Sequence, residues 1–313
     1  MASTPNTENA PVVPRVIEED KRLIAEIDTT KISVDAEWFK DCFELVSALI
    51  LTEVQFEIKD DGLYLKQMDE ARIARTDMFM PKTMFKELKK GKELCELRFD
   101  VKDIRAVLSK VGSGDTITFS IGKLQDDNRI GLIVEVKGRR INRYRLPLFE
   151  PEEMERREPR VVFATRVRTN IDGLVSSCDR AKALLGKSGA KKEKAWFGTF
   201  TLTSNPVGIS LKFASDDGMK KGELQLNTMW DIMQFEGRTD QEVVVSQIYL
   251  EQVIKAIAKV TNMVTIEFST FIPLHIIAEL PFKGTLAFWI APRVPESENV
   301  RIKDEHQKRE VDA

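Results

Sequence analysis

The chain has 313 residues, which is room for two domains of ordinary size. Apolar residues make up 42% and charged residues 31%, the balance of a soluble globular protein, and no stretch approaches the roughly 20 continuous apolar residues of a membrane span. Lys plus Arg number 48 against 50 Asp plus Glu, a net charge of −2, which excludes a bulk polycation but allows cations gathered on one face.

The start, residues 1–21, is rich in Pro, Thr, Asn and Glu. It has no apolar signal core and is expected to be a disordered arm. A first strand is predicted over about 23–28, then an amphipathic helix over 35–49. Residues 54–58 and 63–67 form a hairpin turning at Asp60-Asp61-Gly62. One more strand, a short helix over 101–111 and three closing strands end the first half at Phe149. Residues 150–160, bounded by Pro and strongly charged, read as a connector with Met154 as its apolar residue. The second half, 161–294, repeats the order: strand 161–168, helix 171–185, hairpin 197–203 and 209–214, another strand, helix 247–260 and three closing strands. Residues 295–313 are mostly charged and read as a tail.

The halves echo each other in sequence. Val111 and Phe119 recur as Val260 and Phe268, both at an offset of 149. Gly62 and Gly138 recur as Gly208 and Gly284 at an offset of 146, and Pro147 as Pro292 at 145. Near-constant spacing predicts one α+β fold used twice, two helices against antiparallel strands in each copy.

Candidate chemistry is thin. His275 lies in a strand and His306 in the tail. Gly186-Lys187-Ser188 lacks the first glycine of a P-loop, since Ala181 stands there. Asp60-Asp61 and Asp216-Asp217 sit beside glycines, as turn residues do. Cys42, Cys95 and Cys178 are far apart and form no CxxC, so neither zinc nor a disulfide framework is expected and a reducing cytosol fits. No catalytic residue, metal or cofactor is assigned.

What remains is charge on helices. Lys102, Arg105 and Lys110 mark the second helix, Arg180 and Lys182 the third, with Lys187, Lys191, Lys192 and Lys194 beyond it, and Lys255 and Lys259 the fourth. Ile104, Val107, Leu108 and Val111 turn the second helix's apolar side to the sheet, so its cations face outward. Three basic helices in equivalent places point to phosphate contact, and the absence of interleaved aromatics points away from sequence readout.

The segments Asp61-Gly-Leu-Tyr-Leu-Lys-Gln-Met-Asp69, Gly114-Asp-Thr-Ile-Thr118, Tyr144-Arg-Leu-Pro-Leu148 and Phe288-Trp-Ile-Ala-Pro-Arg-Val294 carry a resemblance. Over about 22–294 the chain resembles the proliferating cell nuclear antigen (PCNA) family, the sliding clamps of archaeal and eukaryotic DNA replication. The resemblance implies a non-enzymatic trimer, of one chain or of paralogues, that encircles duplex DNA with its helices inside. DNA polymerase, clamp loader, flap nuclease and ligase would dock through short peptides, and the location would be cytoplasmic and nucleoid-associated, or nuclear in a eukaryote. It places Lys40 with the seven helix cations Lys102, Arg105, Lys110, Arg180, Lys182, Lys255 and Lys259 facing DNA, although Asp35, Glu37, Asp41 and Glu44 surround Lys40. It assigns a peptide pocket to Met68, Arg72, Ile73, Met154, Pro273, Trp289, Ile290 and Pro292. It assigns the subunit seam to Ile130, Leu132 and Val134 in segment 129–137, and to Glu223, Leu224 and Leu226 in segment 221–228. Two rivals are a checkpoint-type clamp subunit, whose pocket would not take a polymerase-tail peptide, and an enzyme acting on DNA.

Overall fold

The computed structural model describes residues 30–50, 52–91, 95–123, 130–152, 161–185, 198–215 and 218–293. The strand expected at 23–28, both tails, Met154, the Asp216-Asp217 pair and the Lys-rich loop 186–194 lie outside the described residues.

The first half runs β1 (Lys31–Asp35), α1 (Ala36–Val46), β2 (Glu53–Ile58), β3 (Gly62–Met68), β4 (Ala74–Pro81), β5 (Glu87–Lys89), β6 (Glu96–Asp100), α2 (Val101–Leu108), β7 (Thr116–Lys123), β8 (Ile130–Lys137) and β9 (Ile141–Pro147). The second runs β10 (Thr165–Asn170), α3 (Ile171–Leu185), β11 (Thr199–Asn205), β12 (Gly208–Ala214), β13 (Lys221–Asn227), β14 (Ile232–Gly237), β15 (Glu242–Ser246), α4 (Gln247–Ile257), β16 (Met263–Phe268), β17 (Leu274–Leu280) and β18 (Gly284–Ile290). The order of elements is the same twice over. Three strands, not one, separate each hairpin from the second helix of its half.

Local chemistry sets the helix starts. Asp35 accepts from the Trp38 amide at 3.0 Å, Asp100 from Lys102 at 2.6 Å and the Asn170 side chain from Asp172 at 2.8 Å. The β11–β12 turn needs Gly208, whose φ of +142° a side chain rarely adopts and whose absent Cβ would lie 2.1 Å from the Leu226 carbonyl oxygen. Helices bury one stripe each against the sheets: Phe39, Cys42, Phe43 and Val46 in α1, Ile104, Val107 and Leu108 in α2. Phe43 and Phe56 both stack on Phe99, and each buried phenylalanine contributes about 2–3 kcal/mol of transfer free energy.

Each half forms a five-stranded and a four-stranded sheet. The first half's five strands are ordered β5-β1-β7-β8-β9, and the second half's four β13-β12-β11-β15. The remaining two sets fuse into one nine-stranded sheet, β14-β10-β16-β17-β18-β4-β3-β2-β6, with β18 antiparallel to β4 from Thr285↔Phe79 to Ile290↔Ala74. By the repeat, β18 corresponds to β9 and β4 to β13. The two halves are therefore joined by one β18–β4 ladder, while the counterpart strands β9 and β13 stand at sheet edges.

This corrects the expected seam. Strand β8 pairs with β7 on one side and β9 on the other, so its backbone is saturated. Leu132 and Val134 are fully buried, and Ile130 is exposed at the strand's end. The first half's sheet edges are β5, β6 and β9, and β9 is the one that corresponds to the junction strand β18. Glu223 and Leu224 lie on the true edge β13, where Leu226 turns into the core.

Candidate functional site

Two surfaces gather the residues singled out by sequence. The first is the helical face. α3 packs beside α4, and α4 reaches α1 of the other half. Where α1, α2 and α4 meet, a groove of about 630 Å³ is lined by Lys40, Arg105, Lys255, Lys259 and, at its floor, Phe43 and Leu108. Lys40, Arg105 and Lys255 thus converge from three helices, with Lys259 in the turn after α4. Lys102, Arg180 and Lys182 lie exposed on α2 and α3 and Lys110 in the turn after α2, since α2 and α4 end at Leu108 and Ile257 rather than at the expected 111 and 260.

These cations are not bare. Lys259 pairs with Glu44 of α1 across the two halves. Lys255 bridges Glu251 at 2.7 Å and Asp179 at 3.1 Å, and Lys182 also reaches Glu251, at 3.2 Å. Burial works against the Lys255 charge, but hydrogen bonds to the two carboxylates outweigh it and hold the ammonium above its ordinary range. Arg105 donates to the Ser47 carbonyl at 2.6 Å and to its hydroxyl at 3.2 Å, which ties α2 to the end of α1. In α1, partial burial and then Glu44 and Glu37 raise the Asp41 carboxyl. The face is a lattice of cations held by acids, with Lys102 and Lys110 adding charge at its α2 side.

The second surface crosses the junction of the halves, on the side turned away from the core. Met68, Arg75, Trp289 and His275 stand in one transverse row of paired positions across β3, β4, β18 and β17. His275 stacks on Trp289 with ring centres 3.8 Å apart, and its Nδ1 lies 2.8 Å from Glu267. The Trp289 indole donates to Asp77 at 3.2 Å. Phe163, just before β10, stacks on His275 with ring centres 5.6 Å apart and lies tilted to Trp289 at 5.9 Å. Arg72 lies in the β3–β4 turn at φ +54°, and Ile73 accepts from the Ala291 amide at 2.8 Å. Pro273 and Pro292 are half-buried at the strand ends. Beside Met68 and Arg72 lies a polar cavity of about 390 Å³, walled by Gln55, Arg98 and Glu152.

Ile290 leaves the expected pocket. Side chains alternate along β18, so with Trp289 on the outer face Ile290 falls inward and is 0% exposed. Sequence reasoning passed over four residues. Asp69 accepts from the Ile73 and Ala74 amides at 2.7 Å each and from the Tyr249 hydroxyl at 2.6 Å, pinning the β3–β4 turn to α4. Phe163 and Asp77 frame Trp289. The Met68-Asp69 motif was the available signal for Asp69; its partner 180 residues away left none. Among the described residues no group of three His, Cys, Asp or Glu is placed to hold a metal ion, and no helix is long and apolar enough to cross a membrane.

The comparisons with known proteins agree with this geometry. The family model for the proliferating cell nuclear antigen N-terminal domain matches residues 31–154. A DNA polymerase sliding clamp of Pyrobaculum aerophilum is 28% identical over 265 residues, covering 83% of this chain and 96% of that protein. The sliding clamp of Thermofilum pendens is 24% identical over 249 residues, 79% of this chain and 92% of its own. Among solved structures, a chain of the PCNA2–PCNA3 complex from Sulfolobus tokodaii superposes with a TM-score of 0.68 at 22% identity, over 84% of this chain and all but 1% of that one (99% covered). The nuclear antigen of Entamoeba histolytica gives 0.70 at 15% identity, over 86% of this chain and 100% of its own. At such identities the structural likeness speaks for the fold.

Proposed function

We propose that the chain is a member of the proliferating cell nuclear antigen family, a DNA polymerase sliding clamp that closes into a trimeric ring around duplex DNA. The match of residues 31–154 to the family model and the 28% identity to a sliding clamp over 83% of the chain support that reading. One observation carries the ring. The β18–β4 ladder joins the two halves, and the same two strand types, β9 and β13, are left at opposite edges. Repeating the internal junction between chains uses β9 of one subunit and β13 of the next, and a rotation that closes leaves neither of these two edges open.

The helical face then looks onto the DNA. Lys40, Arg105, Lys255 and Lys259 in the groove, with Lys102, Arg180 and Lys182 along the helices and Lys110 in the turn after α2, meet phosphates diffusely and without sequence preference. Retention comes from topology, so acids interleaved with the cations serve sliding: each phosphate contact is weak enough to exchange. Partner enzymes dock at the second surface, where Met68, Arg72, Ile73, Pro273, Trp289 and Pro292 offer apolar contacts beside extended backbone to a short peptide with aliphatic and aromatic anchors. A polymerase so held faces DNA at an effective concentration of about a millimolar. Its curated relatives are archaeal, which supports a cytoplasmic, nucleoid-associated setting.

The test is topological. The full chain, loaded on nicked circular DNA by its loader, is expected to stay bound through gel filtration in moderate salt and to be lost when the circle is cut. Equal retention on circular and linear DNA contradicts encirclement.

A further inference from the structure

The internal junction has a corner whose counterpart on β13 stands open. At β18–β4, the three-residue turn Pro281–Lys283 packs on the turn Lys82–Met84 that follows β4. Met84 is only 8% exposed there, and a Cβ built on Gly284 would lie 2.9 Å from its Cε. The hairpin registers carry this corner to the second half. Gly62 pairs with Pro81 and Gly208 with Asn227, so residues 82–84 correspond to 228–230 and Met84 to Trp230. The turn that covers Met84 has its own counterpart in residues 138–140: three residues again, between Lys137↔Ile141 as the former lies between Leu280↔Gly284. That register corrects the sequence match of Gly138 to Gly284 and of Pro147 to Pro292, and sets Gly138 against Pro281 and Pro147 against Ile290.

Trp230 is 81% exposed and its neighbour Met229 80%, with Met233 of β14 also exposed. The corner is nonetheless fixed. The Asn227 side chain accepts from the Met229 amide at 2.8 Å and from Trp230 at 3.2 Å, and Thr228 donates to the Val207 carbonyl at 3.0 Å. A large apolar group held out by a rigid turn, at the end of an edge strand, marks an interface. The matching turn carries Arg139, Arg140 and Ile141, all exposed. Guanidinium groups and an aliphatic side chain are suited to an indole face and two thioethers.

We infer that Trp230, with Met229 and Met233, forms a socket that receives the β8–β9 turn, Arg139, Arg140 and Ile141, of a second copy of this chain. The inference rests on the clamp reading and adds to it the anchor at one end of the seam. An antiparallel seam, like every pairing between the named strands, brings the start of β9 to the end of β13 and so brings turn and socket together.

Hydroxyl-radical footprinting of the full chain, below and above its assembly concentration, reads Trp230 and Met229 directly. Both are expected to lose most of their reactivity in the assembled species. Trp230→Ala is expected to raise the concentration for half-assembly about tenfold, the scale of an interface anchor, with Trp230→Phe recovering most of it. An assembled ring in which Trp230 reacts as in the monomer overturns the inference and leaves the clamp reading standing. Protection that appears only when a polymerase or loader is added also overturns it. A chain that remains monomeric at every concentration overturns it together with self-assembly, whereas its retention on circular DNA with a paralogue would still uphold encirclement.

Discussion

Asp69 is a buried carboxylate saturated by two amides and a phenol. Its replacement by alanine leaves the buried Ala74 amide and the part-buried Ile73 amide and Tyr249 hydroxyl without this acceptor, and a loss of about 1–3 kcal/mol in chemical unfolding is expected. Tyr249→Phe removes one bond and is expected to cost about 1 kcal/mol. The pair also sets a pH dependence. Burial first, and then the hydrogen bond to Asp69, push the Tyr249 phenol above its ordinary value of 10. Burial likewise raises the Cys178 thiol from 9 to about 12. Each group keeps its proton longer in the folded state than in the unfolded one. The stability they contribute is complete below the unfolded values and falls as pH climbs from 9 toward 12 and beyond. Denaturant titrations between pH 8 and 11 are expected to show that decline, with Tyr249→Phe flattening the part above 10; an unchanged slope in the variant denies the phenol its role. Residues of the peptide surface were legible only as motif members. Trp289 stood out by type and Ile290 by adjacency, but strand alternation sends Ile290 inward, and nothing local in the sequence joins Tyr249 to Asp69.

Elements were legible where their causes are local. The helix over 171–185 is realised as α3 with the same bounds, and the starts of α2 and α4 agree with the expectation, because 3.6-residue periodicity and, for α2 and α3, side-chain caps lie within a few positions of each other. Edges were not legible, because edge status is a relation between distant strands. The resemblance assigns the seam to β8, yet its apolar run belongs inside a sheet; the polar sequence of β9, Ile-Asn-Arg-Tyr-Arg-Leu-Pro, is what a managed edge carries. The charge lattice of α3 and α4 has the same long-range character, and it yields a prediction. Glu251 holds both Lys182 and Lys255. Glu251→Gln keeps the shape, removes one negative charge from the face, frees the Lys182 ammonium for phosphate and leaves Lys255 with Asp179 as its one acidic partner. Duplex affinity at low salt is expected to rise, with the salt slope steeper by about one unit, while the assembled mass stays the same. An unchanged slope measured by fluorescence anisotropy places those lysines away from DNA.

At the scale of the whole molecule, duplication turns one junction into an assembly rule. A single chain uses the rule once, between β18 and β4, and keeps its two remaining partners at opposite ends. Because β9 and β13 differ, the contact in the proposed ring would be head to tail, with charge deciding how readily it closes. The β9 end presents Arg139, Arg140 and Arg143, whereas the β13 end carries Lys220 and Lys221 with Glu223 between them and the rest of the strand. Arg143 has Glu135 in its own chain at 2.8 Å and Glu223 accepts from the Ser210 hydroxyl; on the proposed seam Glu223 would be the carboxylate facing the arginine-rich edge. Glu223→Lys turns that edge wholly cationic. Like charges facing each other across a ladder are destabilising, and the effect is screened over about 8 Å at physiological salt. Light scattering is therefore expected to find the variant assembling at about tenfold higher concentration in low salt, since 1.4 kcal/mol is the scale of a few such contacts, and recovering in 0.5–1 M salt, roughly the range where the Debye length shrinks toward 3 Å. Trp230→Ala, which removes apolar contact, has no such recovery. If Glu223→Lys assembled as the parent does at low salt, the β9 and β13 edges would not be the surfaces that meet.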